Sequence, residues 1–172
     1  TRAGRAIRFP ESDLSVLGRT ARGVKGIGLE GDDTVVGMLL IRRDAWVLSV
    51  AEDGSGKRTE VGEFPLQKRG GLGTLAVPSG EGTALVSVLE VLDGDEVMVV
   101  MAGGDVHRLR VDQIAPQGRR KKGRSLVKPS AGDRVVAVTQ AYGGGEQKKE
   151  SPEEGGPEEG GEEVPGQLDL LG

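Results

Sequence analysis

Ala84–Leu92 reads ALVSVLEVL, an apolar run that periodicity alone leaves open between a buried helix and a buried strand. Its surroundings decide. Fifty residues to either side stand Val35–Ile41 (VVGMLLI) and Val135–Thr139 (VVAVT), both short and rich in β-branched residues. Such runs are too brief for helices and suit a pleated, half-buried surface. The same spacing extends outward. Gly4, Gly54 and Gly104 coincide, as do Arg8, Arg58 and Arg108; Arg19, Arg69 and Arg119; Gly23, Gly73 and Gly123; and Ile27, Val77 and Val127. The chain is therefore three ungapped copies of one unit of about 50 residues, and a fixed period of that size marks a repeat architecture.

Each copy offers about four strands. Trp46–Val50 (WVLSV) and Val97–Met101 (VMVVM) supply one class, and Ala6–Phe9 and Leu109–Val111 another. Turns such as Glu52-Asp53-Gly54, Leu92-Asp93-Gly94 and Ala131-Gly132-Asp133 separate them. Four strands per repeat is the size of a propeller blade. One blade cannot bury both faces, whereas neighbours stacked around an axis can. The expected fold is all-β and propeller-like: about three four-stranded blades in a partial ring, at about 1–50, 51–100 and 101–142. Rings typically need four to eight blades. A first residue other than Met suggests that more lie upstream.

Composition agrees. Among 172 residues there are 30 glycines, 2% aromatics and no cysteine, so the core is aliphatic and neither a disulfide nor a thiolate metal site is possible. No run approaches the length of a membrane span, and Thr1–Asp13 does not read as a signal peptide. Residues 1–142 carry 21 Lys and Arg against 18 acids, and 143–172 carry 2 Lys against 9 acids. A body of net +3 thus precedes a tail of net −7 within the overall −4. The tail repeats Pro-Glu-Glu-Gly-Gly at Pro152–Gly156 and Pro157–Gly161. It offers too little apolar area to offset backbone ordering, so 143–172 are expected to be disordered. Leu168, Leu170 and Leu171 form its one apolar cluster.

The chemistry concentrates in one turn of each copy. Gly18–Gly26 contains Arg19, Arg22 and Lys25; Gln67–Gly73 contains Gln67, Lys68, Arg69, Gly70 and Gly71; Gly118–Arg124 contains Arg119, Arg120, Lys121, Lys122 and Arg124. Glycine lets a backbone approach a ligand closely, and the cations neutralise phosphates. In a radial array such turns form one basic edge suited to a bent duplex, whose bending cost repeated contacts offset. Solvated turns are the plain alternative, and recurrence in register argues against it. Arg42 and Arg43 extend the track or are solvated. His107 has no triad or ligand pattern around it, Tyr142 ends the last repeat with nothing to make it a nucleophile, Trp46 reads as core, and Gly70–Gly73 lacks the Gly-Lys-Ser/Thr ending of a phosphate loop. No catalytic residue, metal or cofactor site is expected.

Gly4–Leu29, Gly54–Phe64 (GSGKRTEVGEF) and Val111–Val127 resemble the blade repeats of the DNA gyrase A C-terminal domain, with Gly54–Thr59 the most specific match. The resemblance covers 1–142, as the last three of about six blades. It implies a β-pinwheel whose blades exchange strands, binding and wrapping double-stranded DNA without reading sequence and supporting ATP-dependent negative supercoiling by a type IIA topoisomerase. Gln67–Gly73 is similar to the family's box motif, with Leu72 in place of a basic residue, and is expected to contact DNA. The catalytic tyrosine lies elsewhere in the gyrase A polypeptide. ATP and Mg2+ belong to the holoenzyme, an A2B2 assembly with gyrase B in the cytoplasm, at the nucleoid. The acidic tail is expected to compete with DNA for the basic edge. The alternatives are the C-terminal domain of topoisomerase IV and a non-enzymatic propeller-like interaction scaffold.

Overall fold

The computed structural model describes residues 1–78 and 83–141. The expectations for Tyr142 and for the tail at 143–172 fall outside these. Among the described residues nine strands appear: β1 (Arg5–Ala6), β2 (Trp46–Ala51), β3 (Ser55–Glu60), β4 (Thr74–Leu75), β5 (Leu85–Val91), β6 (Glu96–Met101), β7 (Val106–Arg110), β8 (Arg124–Ser125) and β9 (Val135–Ala141). The other regular elements among the described residues are three single 3-10 turns at Glu11–Asp13, Val61–Glu63 and Val111–Gln113. They too lie 50 residues apart.

Hydrogen bonding crosses the copies. One sheet has the order β5-β2-β3-β8, a second β7-β6-β9, and a third β1-β4, with every pairing antiparallel. The four-stranded sheet draws β2 from the first copy, β3 and β5 from the second and β8 from the third. β1 and β4 stand in the first copy's blade where β3 and β8 stand in the second's. The first and second blades thus take their outer strand from the next copy, which is the exchange the resemblance implies.

Ala84–Leu92 resolves as strand β5. Val35–Ile41, expected to match it, forms no strand. The reason is pairing. β5 is held by β2 and β9 by β6, whereas no strand among the described residues pairs with Val35–Ile41. Leu109–Val111 also shifts: β7 ends at Arg110, and Val111 opens a 3-10 turn.

The strands pack through aliphatic side chains. Leu48, Val50, Val91, Val97, Val99, Met101, Val111, Ile114, Val127, Val135 and Val138 form one buried cluster spanning the second and third blades, with β5 against β9 at its centre. Removing these side chains from water is the main stabilising term, at about 25 cal/mol per Å2 of apolar surface. Both inner strands shift register at the same place, after Val50 and after Val100. The copies therefore share even their irregularities.

Candidate nucleic-acid interface

The basic turns lie where one copy reaches across the blade before it. Gln67 donates its N–H to the Arg8 carbonyl (2.8 Å), and Gln117 donates to that of Arg58 (2.9 Å). Each contact sits beside an isolated parallel bridge, Arg8 with Leu66 and Arg58 with Pro116. The chain then turns and returns antiparallel as β4 or β8. Gly123 carries φ +102°, and a Cβ there would stand 2.7 Å from the Gly56 carbonyl. The close crossing, and not flexibility, requires glycine at this end of the turn.

The turns touch one another. Gly70 N–H donates to the Gly26 carbonyl and Gly28 N–H to the Gly71 carbonyl, both at 2.7 Å, and Arg69 Nη1 donates to the Lys25 carbonyl at 2.7 Å. The third turn is tied to the second copy. Arg119 N–H donates to Glu63 Oε2 (2.7 Å), its Nε to the Glu63 carbonyl (3.0 Å) and its Nη1 to the Leu75 carbonyl.

Lys57, on β3, is 1% exposed and holds the third turn from beneath. Its ammonium, with three N–H bonds to share, lies within hydrogen-bond reach of four carbonyls, those of Gly118 (3.0 Å), Arg119 (2.5 Å) and Lys121 (2.7 Å) in the turn and of Ala76 (2.9 Å). Burial pushes its pKa down to about 8; the Glu63 carboxylate opposes this and the Arg119 guanidinium adds to it. With the carbonyls drawn inward, the turn presents its side chains outward. Nothing in the sequence marks Lys57 for this role, although it sits within Gly54–Thr59, because a lysine between strand residues looks like a solvated one.

The expected contact residues divide accordingly. Arg19, Arg22, Lys25, Lys68, Arg120, Lys121, Lys122 and Arg124 are exposed, as is Gly71. Among the described residues Lys122 alone of these cations has an ion pair, with Asp53 at 3.5 Å, and an exposed pair of that kind is worth little. Gln67, Arg69, Gly70 and Arg119 are half-buried; Arg69 and Arg119 spend their guanidinium groups on backbone carbonyls. The structure places these two as braces between copies rather than as free cations. Of the flanking candidates, Arg43 pairs with Glu90 (3.3 Å), Trp46 packs on the core beneath the Arg58 guanidinium (4.8 Å to the ring centroid), and His107 is exposed on β7. Among the described residues no cluster of His, Asp and Glu is arranged to hold a metal ion, and no helix is long and apolar enough to cross a membrane.

The family model described as "DNA gyrase C-terminal domain, beta-propeller" matches residues 1–42, 45–101 and 106–141. The chain belongs to this family. Over 137 residues it is 36% identical to the DNA gyrase A protein of Pseudomonas aeruginosa, covering 79% of this chain and 15% of that one. Over 143 residues it is 42% identical to the DNA gyrase A protein of Dehalogenimonas lykanthroporepellens, covering 79% and 18%. The chain thus spans less than a fifth of the length of these curated relatives. A solved DNA gyrase A C-terminal domain superposes with TM-score 0.73 at 26% identity, covering 81% of this chain and 48% of that one. The C-terminal domain of DNA topoisomerase IV superposes at 0.76 with 22% identity, covering 81% and 44%, a likeness of fold. The fold is all-β, as expected from the repeats, and is the gyrase C-terminal fold that the resemblance implies.

Proposed function

We propose that this chain is a DNA-wrapping module of gyrase A. In this reading the exposed cations of Gly18–Gly26, Gln67–Gly73 and Gly118–Arg124 bind successive phosphates of double-stranded DNA without reading its sequence. One observation carries the proposal: the turns recur at one place in each copy and are tied, turn to turn or through Glu63 and Leu75, into one basic edge. Glycines allow the duplex to approach the backbone, and Lys57 and Arg119 hold the third turn in place. The module carries no catalytic residue; its contribution is to bend DNA toward the rest of gyrase A and toward gyrase B in an A2B2 enzyme. That holoenzyme uses ATP and Mg2+ for negative supercoiling, in the cytoplasm at the nucleoid. Identities of 36% and 42% to gyrase A proteins favour this enzyme over topoisomerase IV, whose domain shares the fold at 22%.

The test is binding of this chain to a long and a short duplex of random sequence across a salt series. Binding that favours the longer duplex, with log K falling against log salt at about −0.9 per phosphate contacted, is the expected result. Salt-independent binding, or equal affinity for both lengths, would overturn the wrapping reading.

A further inference from the structure

The second and third basic turns are tied down in different ways. In the second, Gly70 N–H donates to the Gly26 carbonyl, and the Gly71 carbonyl accepts from Gly28 N–H. Fifty residues on, neither bond recurs. Pro78 stands in the place of Gly28 and has no N–H, and the Ala76 carbonyl, in the place of Gly26, faces the Lys57 ammonium. The Lys121 carbonyl, which matches that of Gly71, faces the same ammonium, as do those of Gly118 and Arg119. Beneath the second turn the matching residue is Ile7, whose side chain has no donor.

This inward pull fixes where the N–H groups go. In a trans peptide the N–H points opposite to the carbonyl of the residue before it, and no cis peptide occurs among the described residues. The N–H groups of Arg119, Arg120 and Lys122 therefore face away from Lys57. Arg119 N–H meets an anion there, Oε2 of Glu63 at 2.7 Å. Arg120 N–H and Lys122 N–H have no acceptor among the described residues. Both belong to exposed residues, as do the cationic side chains of Lys121 and Arg124 beside them.

We propose that the Arg120 and Lys122 N–H groups are a built cradle for one phosphate of the duplex backbone, with Lys57 as its positioning residue. The proposal rests on the DNA-wrapping reading and adds a main-chain site to it. Backbone N–H groups arranged in a turn make an anion-binding concavity. Unlike a lysine side chain, they are ordered before the ligand arrives, so little conformational freedom is lost on binding. The second turn has no such cradle, because Gly70 N–H, the counterpart of Arg120 N–H, is already bonded. The third turn thus fixes the position of one phosphate, and the second contributes charge alone.

The test compares Lys122→Pro with Lys122→Ala in the intact protein, binding a random-sequence duplex across a salt series. Both variants lose one charge, and only the first loses the N–H. Lys122→Pro is expected to bind about tenfold more weakly than Lys122→Ala, as for loss of one hydrogen bond to a charged acceptor, at the same salt slope. Equal affinities would overturn the cradle. Should Lys122→Pro fail to fold, hydrogen exchange in the wild-type protein decides. The Arg120 and Lys122 amides should slow by about tenfold when duplex is added, and the Lys121 amide, already bonded to the Gly118 carbonyl, far less. A second arm replaces the duplex with inorganic phosphate: slowing there as well assigns the cradle to phosphate at large, and slowing with duplex alone assigns it to the phosphodiester. No slowing with either overturns it. If the cradle fails while wild type still binds duplex, the wrapping reading stands; if wild type binds none, both fall.

Discussion

β3 and β7 stand fifty residues apart in nearly identical settings, yet one is interior and the other is an edge. In β3, Gly56, Lys57, Arg58 and Thr59 are all buried, whereas in β7 only Leu109 is even half-buried. The hairpins leading into them are alike: Gly54 and Gly104 both take positive φ, +76° and +97°. The difference comes from outside the blade. A Cβ at Gly54 would fall well inside 3.0 Å of the Val127 carbonyl of the covering segment, while one at Gly104 would meet nothing within 4 Å. In a repeat fold, burial at an edge is thus decided by the neighbouring copy and not by the strand's own residues.

The largest expected effect tests that difference directly. Gly54→Ala combines positive-φ strain with displacement of the covering segment, and should cost about 4 kcal/mol or more. Gly104→Ala carries the strain alone, about 1–2 kcal/mol. Denaturant unfolding of both variants checks this, and equal costs would mean that backbone conformation, not the close crossing, requires the glycine. Next comes Lys57→Met, which leaves the carbonyls of Ala76, Gly118, Arg119 and Lys121 without their common donor. About 3 kcal/mol is expected, against almost nothing for His107→Met on the open edge. A small effect at Lys57 would mean that water replaces the ammonium under the turn.

How much of this was legible beforehand follows from the same contrast. The period, the strand class of ALVSVLEVL and the position of the basic turns were all readable, because each recurs within the chain. Which copy completes which sheet was not readable from periodicity, since antiparallel partners leave no mark in a single strand; the exchange came from the family resemblance. Val35–Ile41 has the composition of β5 and β9 yet forms no strand, because strand formation needs a partner and composition cannot supply one. In the candidate interface the cations were legible as a set. Their division into outward contacts and braces was not, since Arg69 and Arg119 differ from Lys68 and Arg120 only in what their guanidinium groups reach.

That division gives the next effect in size. Arg120→Ala with Lys121→Ala should leave stability within about 0.5 kcal/mol, as for open surface positions. It should weaken duplex binding roughly tenfold and lower the salt slope by about 2, one unit per phosphate lost. Arg119→Ala should do the reverse in emphasis: stability falls by about 1–3 kcal/mol, because the Glu63 and Leu75 carbonyls lose a charged donor. Binding measured on folded protein then falls only as far as the turn loosens. If Arg119→Ala instead lost affinity at full stability, the brace would be a contact.

The smallest effect is a pH dependence carried by Lys57 on β3. Lys57 titrates at about 8 in the folded chain, below the 10.5 of a solvated lysine. Between those values the unfolded chain binds more protons than the folded one, so stability rises with pH through that window and carries the full burden of the buried charge below it. Between about pH 7 and 8.5 the rise attributable to Lys57 is under about 1 kcal/mol. Lys57→Met has no group to titrate there, so the gap between wild type and variant should widen as pH increases. Thermal unfolding of wild type and Lys57→Met at several pH values provides the comparison. Parallel curves for wild type and Lys57→Met would mean that the four carbonyls hold the proton against burial. The turn would then rest on a permanently charged ammonium, and the difference between the two edges would be one of packing alone.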